Sequence, residues 1–170
     1  MREPLEIPFA AGVLRLRPER AEDQDFRYQL FRVSRNPEFA LVLAPPVFEQ
    51  VMRHQFHAQT VGYRTQFPQA HFDIIELSGQ PIGRIVVDRP GTMMHIVDQA
   101  IVPQLRGRGI GTAIMRAIMN EAQAAVLPVR LEVESENDPS LRLYERLGFV
   151  PIETLPFYMR LEWRPPATQA

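Results

Sequence analysis

Over Val13-Leu14-Arg15-Leu16-Arg17 apolar and charged residues alternate from Leu14 onward. A period of two places one side of the chain against a core and the other in water, so this run predicts a strand, ended by Pro18. Residues 1–11 show no such rhythm and read as a loose lead-in. Over residues 21–35 the spacing becomes helical, with Phe26, Leu30, Phe31 and Val33 set among charges until Asn36-Pro37 breaks the pattern. The stretch from Phe39 to Pro46 is apolar and interrupted by Pro45-Pro46. A second helix is predicted over 47–64, where Phe48, Val51, Met52, Phe56 and Tyr63 recur on one side. Three strands follow, at 71–77, 82–88 and 93–102. The turns between them, Ser78-Gly79-Gln80-Pro81 and Arg89-Pro90-Gly91-Thr92, are short enough to dictate an antiparallel meander. Gly83, inside a strand, marks a bulge or a close approach of backbones.

The next helix, 111–126, carries Ile110, Ala113, Ile114, Ala117, Ile118, Ala122 and Ala125 as one apolar face, with Arg116, Asn120 and Gln123 opposite. Glu121 falls inside that face. A structural hydrogen bond is the better reading of it than a place at a substrate end. Pro128 stops the helix, and 129–135 alternates as a strand. Strand, helix and strand at this spacing form a right-handed crossover, so 93–102 and 129–135 run parallel. A last helix starts at Asp138 as N-cap with Pro139 in its first turn. It ends before Gly148, with Leu143 and Leu147 toward the core. Residues 149–152 and 157–163 form a closing hairpin. The pattern is that of an α/β (α+β) fold: a mixed, mostly antiparallel sheet of six to seven strands with a central parallel pair, flanked by about four helices. One domain is expected over residues 1–163, with 164–170 as a flexible, proline-bearing tail.

The chain has 170 residues, 45% hydrophobic and 23% charged, enough for one sizeable core. A net charge of -1 lacks the basic surplus of a nucleic-acid binder. There is no cysteine, which removes disulfides, thiolate metal ligands and a cysteine nucleophile and suits a cytoplasmic setting. All 19 basic residues are arginine, so no Schiff base forms on this chain. The acidic, proline-bearing N-terminus does not resemble a signal peptide, and no apolar run approaches membrane-spanning length. His54 and His57 lie three apart on the second helix without an evident third ligand, so they read as surface or packing histidines and no metal is expected.

The chemistry concentrates at residues 101–114, where a strand passes through a glycine-rich turn into a helix. Gly107, Gly109 and Gly111 free the backbone there, and Arg106 and Arg108 add charge. Unpaired N–H groups at the helix start make an anion site suited to a pyrophosphate. A P-loop needs a lysine, which is absent, and a dinucleotide-binding turn should follow the first strand of a βαβ unit, which this turn does not.

The run Arg106-x-x-Gly109-x-Gly111 resembles the acyl-CoA pyrophosphate-binding signature of the GCN5-related N-acetyltransferase (GNAT) superfamily. Downstream, Asn137, Ser140, Tyr144 and Gly148-Phe149 resemble that superfamily's second signature, in the expected order and separation. The resemblance is firm over residues 70–163 and thin before. It implies acetyl-CoA as co-substrate, its pyrophosphate at Arg106, Gly107, Arg108, Gly109, Ile110, Gly111 and Thr112. The pantetheine arm would lie in a gap where the two parallel strands splay, against Ile101, Val102 and Asn137. The N–H of Val102 would polarise the thioester carbonyl, and Tyr144 would touch the CoA sulfur and act as general acid. Asp98, on one strand face with Ala100 and Val102, is favoured as base over Glu132 and Glu134, each acting through water. Tyr28, Phe31, Phe56 and Tyr63 lie in the region that walls the acceptor pocket in this superfamily. The implied activity is transfer of acetyl to a primary amine of a small molecule or peptide, with no nucleic-acid or membrane partner. A non-catalytic acyl-CoA-binding module is the rival. An exposed C-terminal strand leaves a homodimer open.

Overall fold

The fold is that of a computed structural model describing residues 3–34 and 43–166. The break at Asn36-Pro37, the apolar stretch from Phe39 up to residue 42, and residues 167–170 of the tail lie outside the described residues. The strands are β1 (Leu5–Phe9), β2 (Gly12–Pro18), β3 (His71–Leu77), β4 (Gln80–Asp88), β5 (Met94–Ile101), β6 (Val129–Glu134), β7 (Val150–Thr154) and β8 (Tyr158–Trp163). The described helices are α1 (Gln24–Ser34), α2 (Pro45–Gln66), α3 (Ile110–Ala124) and α4 (Asp138–Arg146). The strands join in one eight-stranded sheet, ordered β1-β2-β3-β4-β5-β6-β8-β7. All neighbours are antiparallel except β5 and β6.

The sheet has one strand more than the hydrophobic pattern predicts. Residues 5–9 are not a loose lead-in but an edge strand paired with β2 from Leu5↔Leu16 to Phe9↔Gly12. Its Ile7 and Phe9 pack on the core, and Pro8 is tolerated because an edge strand has no partner on one side. At the other edge β7 is exposed along its whole length.

The main core packs α3 against one face of the sheet. Ile110, Ile114, Met115, Ile118 and Ala122 meet Ile85, Val87, Met94, Ile96, Leu131 and Val133. Met115 joins this face although the periodicity did not select it, while Ala125 is exposed. Glu121 is exposed as well, and Arg89 holds it through two hydrogen bonds of 2.8 and 2.9 Å, so its role is structural. A second, smaller core joins α1 to α2 through Tyr28, Phe31 and Met52, with Phe48 and Phe56 against them. Beside it, Arg17 is buried between Asp23, with hydrogen bonds of 2.7 and 2.8 Å, and Glu76 at 2.6 Å. Both carboxylates meet one guanidinium, which stitches β2, β3 and the turn before α1 together. No described helix is long and apolar enough to cross a membrane.

Two irregularities in the middle of the sheet shape everything that follows. β4 runs so close to β5 at Gly83 that a Cβ there would stand 2.5 Å from the Ala100 carbonyl oxygen. Further along, Val86 pairs with Asp98 and Val87 with Ile96, so β5 carries one extra residue, Val97, in a bulge. The bulge shifts the parity of β5. Met94 and Ile96 face the α3 core before it, and Gln99 and Ile101 approach Gly111 of α3 after it. His95 and Asp98 thereby come to share the opposite face, toward α1 and α2. β5 and β6 pair only from Met94↔Val129 to Ile96↔Leu131. Beyond that both strands continue without each other, and the sheet opens a V-shaped gap.

Candidate active site

The glycine-rich turn lies at the end of β5. A short 3-10 turn, Pro103–Leu105, leads to Gly107 at φ +72° and Gly109 at φ +82°. Both angles fall where a side chain is strained, and a Cβ at either position would meet nothing within 4 Å. Conformation rather than crowding therefore calls for glycine, and the space in front of the turn stays open. Gly109 is the N-cap of α3, without a side-chain cap. The first helical bond runs from the Ala113 N–H to the Gly109 carbonyl at 3.0 Å. The N–H groups of Ile110, Gly111 and Thr112 precede it and have no acceptor within the helix, which is the donor cluster an anion needs. Buried Ile110 anchors this end in the core.

Arg106 does not extend into the open space. Its Nε donates to the Ile101 carbonyl at 2.9 Å and its Nη2 to Ser34 Oγ at 3.3 Å, tying the turn to β5 and α1. Arg108 is exposed. The Val102 N–H is engaged as well. It donates to the Ile82 carbonyl at 2.9 Å across the β4–β5 ladder and does not face the gap. The expectation that it polarises a thioester is corrected on that ground. Antiparallel alternation turns the backbone groups of Gln99 and Ile101 toward the gap instead.

A cavity of about 500 Å³ fills the gap and extends under α1 and α2. Tyr144, Asp98, Asn137, His95 and Arg84 all line it. Asn137 accepts a hydrogen bond from the Ser140 N–H at 3.3 Å and is the N-cap of α4, the position expected for Asp138. Gly148, at φ +89°, closes α4 as its sequence position predicts. Tyr144 rests on Phe149, ring centroids 5.7 Å apart. Burial, with the Asp98 charge adding to it, pushes its phenol up to about 12. Asp98 lies 3.5 Å from Arg84 Nη1. Burial also lowers the pKa of His95, whose ring meets Phe67 edge-on at 5.3 Å. Glu132 and Glu134 line the outer end, with Glu132 held by Arg160 at 2.7 Å.

Of the aromatic candidates, Phe31, Phe56 and Tyr63 line this cavity. Tyr28 turns away, its hydroxyl donating to Glu49 at 2.7 Å, and borders a smaller cavity of about 240 Å³ between α1 and α2. His54 and His57 are exposed on α2.

Sequence reasoning missed the charged wall of the site. Glu19, whose side chain is 4% exposed, accepts hydrogen bonds from Arg27 at 2.6 Å, from Arg84 at 3.2 Å and from Arg64. These residues come from α1, β4, α2 and the loop after β2. No spacing rule links them. The only available signal was Arg84 at the centre of an otherwise apolar strand, where an arginine needs a partner.

The acetyltransferase (GNAT) family model matches residues 41–149, well over half of the chain. An N-alpha-acetyltransferase of Sulfurisphaera tokodaii is 31% identical over 104 residues, covering 53% of this chain and 62% of that protein. An uncharacterized N-acetyltransferase of Methanocaldococcus jannaschii is 30% identical over 100 residues, 58% of this chain and 64% of that one. The chain thus spans somewhat less than two thirds of the length of these curated relatives. The PaiA N-acetyltransferase of Thermoplasma acidophilum, solved in complex with coenzyme A, shares the fold with a TM-score of 0.67 at 17% identity, over 89% of this chain and 98% of that one. With the paired signatures, the parallel strands that part and the glycine turn at the start of α3, the family match is decisive: the chain belongs to the acetyltransferase (GNAT) family.

Proposed function

We propose that this protein moves the acetyl group of acetyl-CoA directly to a primary amine, and that the gap between β5 and β6 is where the transfer occurs. The observation that carries this reading is the position of Tyr144, a half-buried phenol on the wall of a cavity that opens between two parting parallel strands. The pyrophosphate would sit on the N–H groups of Ile110, Gly111 and Thr112, with Arg108 beside it. Gly107 and Gly109 keep the approach clear. Pantetheine, an amide chain, would pair with the strand groups that the gap leaves exposed, and Gln99 and Ile101 of β5 present them.

In the chemical step the amine nitrogen bonds to the thioester carbon and the carbon–sulfur bond breaks. The oxygen charge that develops between these events needs a donor on the β5 edge, and the backbone N–H groups of Gln99 and Ile101 are the candidates. Tyr144 gives its proton to the departing sulfur. The amine proton leaves toward Asp98 through water. Asp98, on the cavity wall 3.5 Å from Arg84 Nη1, is the carboxylate assigned to take that proton.

Calorimetric titration tests the reading. Acetyl-CoA should bind with a Kd in the range of about 1–100 μM, a Gly109→Glu variant should weaken it by about tenfold or more, and NAD should not compete. An amine screen following thiol release then reads transfer. Absence of acetyl-CoA binding would overturn the proposal.

A further inference from the structure

One polar side chain of β5 stands among apolar ones. After the bulge, Gln99 and Ile101 turn to the face that Met94 and Ile96 occupy before it, the face of the α3 core. The half-buried Gln99 side chain runs toward the start of α3. Its Nε2, the Ile101 Cδ1 and the Leu143 Cδ2 converge there, at 3.8, 3.8 and 3.6 Å from the point where Gly111 would carry a Cβ. The Gln99 Oε1 is buried and finds no hydrogen-bond donor among the described residues. An amide oxygen taken out of water without a donor costs free energy, and folded proteins pair nearly every such atom. Leucine or methionine would fill the same space without that cost.

The place of this oxygen says what pairs it. Gln99 lines the gap between β5 and β6. At one side it adjoins Gly111, whose N–H belongs to the anion site. At the other, the gap leads to Tyr144 on the same cavity wall. On the acetyl-transfer reading above, the pantetheine arm of CoA runs between these two points. The arm carries amide N–H groups, and Oε1 can only accept. On that reading we infer that Gln99 Oε1 accepts a hydrogen bond from an amide N–H of the pantetheine arm, and that this contact fixes how far the arm extends along β5. Backbone pairing with a strand edge recurs along the strand and by itself leaves the register open. A bond to one side chain is made in a single register, the one that holds the thioester beside Tyr144. Gln99 thus recognises the arm and not the pyrophosphate.

Calorimetry with two ligands tests the inference without turnover. One is CoA, and the other is 3′-phospho-ADP, which is CoA without its arm. Gln99→Met and Gln99→Leu remove the amide and keep its bulk. Each should weaken CoA by about threefold to tenfold and leave 3′-phospho-ADP unchanged. The ligand-free variants should be at least as stable as the wild type in urea, because the oxygen they lose is unpaired there. An amide with a purely structural role moves the other way, since its removal lowers the urea midpoint. That result overturns the inference, as does an unchanged CoA affinity in both variants or an equal loss for the two ligands. Failure of the transferase reading is seen separately in the wild type. Absence of CoA and acetyl-CoA binding removes that reading and this inference together, whereas CoA bound equally well by the wild type and Gln99→Met removes the inference alone.

Discussion

In the proposed transfer, Tyr144 has to keep its proton until a thiolate forms beside it. Burial in the cavity wall and the nearby Asp98 charge both penalise the phenolate, which is why its pKa rises to about 12. Below pH 9 fewer than about one phenol in a thousand is then ionised, so the acid is ready at every physiological pH. Replacing it with phenylalanine keeps the ring on Phe149 and removes only the proton. Tyr144→Phe should lower kcat by about 10²–10⁴-fold while calorimetric acetyl-CoA affinity stays near the wild-type value. An unchanged kcat would assign Tyr144 to packing alone. The shift has a second consequence with a definite sign. The folded state holds this proton more tightly than the unfolded chain does, so the associated stability is full below about pH 10 and disappears as pH rises to about 12, a loss of about 2–3 kcal/mol. Tyr28, raised by its own burial, adds a loss in the same direction. The denaturant midpoint of the wild type should therefore fall relative to that of Tyr144→Phe across that window. At this scale Gly109 and Gly148 have the positive φ that their sequence positions call for, whereas Asn137 rather than Asp138 caps α4. The Val102 N–H was misread because the direction of a strand amide is set by its ladder partner, Ile82, twenty residues away in the chain.

At the scale of elements, the site depends on how β5 is seated on β4. Gly83 brings the two backbones together, and the bulge at Val97 then turns Asp98 to the side of His95 and Arg84. A methyl group at position 83 would have to push the Ala100 carbonyl away, and that carbonyl is backbone with little room to give. Gly83→Ala should cost about 1–3 kcal/mol, read as a lower urea midpoint with an unchanged slope, and should also reduce kcat because Asp98 moves with β5. A variant as stable and active as the wild type would mean that the strands part without cost. The glycine was visible in the sequence as an oddity inside a strand. The bulge was not, because Met94 to Ile101 alternates poorly and nothing local says where a strand gains a residue. β1 escaped notice for the opposite reason. Leu5, Ile7 and Phe9 do alternate, but Pro8 interrupts the run, and only its edge position makes the proline harmless.

The whole molecule divides its labour between the two faces of one sheet. Below the sheet α3 packs a continuous apolar core, and its pattern was legible from one stretch of sequence. Above it α1 and α2 cover a cavity beside which Glu19, Arg27, Arg64, Arg84 and Asp98 cluster, residues up to 79 positions apart. Such a cluster exists only after folding, so this side of the cavity could not be read beforehand. An acyl-CoA lying in the gap would touch both parts, with the start of α3 at its pyrophosphate and β5, β6 and α4 around its thioester. It would thus bridge elements that the V-shaped opening leaves unpaired, and it would bind only the folded chain. At a concentration about 100 times its Kd, such a ligand adds about 2.7 kcal/mol to folding stability. For a chain of this size each kcal/mol raises Tm by about 2–4 °C, so saturating acetyl-CoA should raise it by about 5–10 °C. The rise should grow with the logarithm of acetyl-CoA concentration and be largely lost in Gly109→Glu. A rise of the same size with NAD would mean that the glycine turn accepts any pyrophosphate and that the strand gap contributes no selectivity for the pantetheine arm.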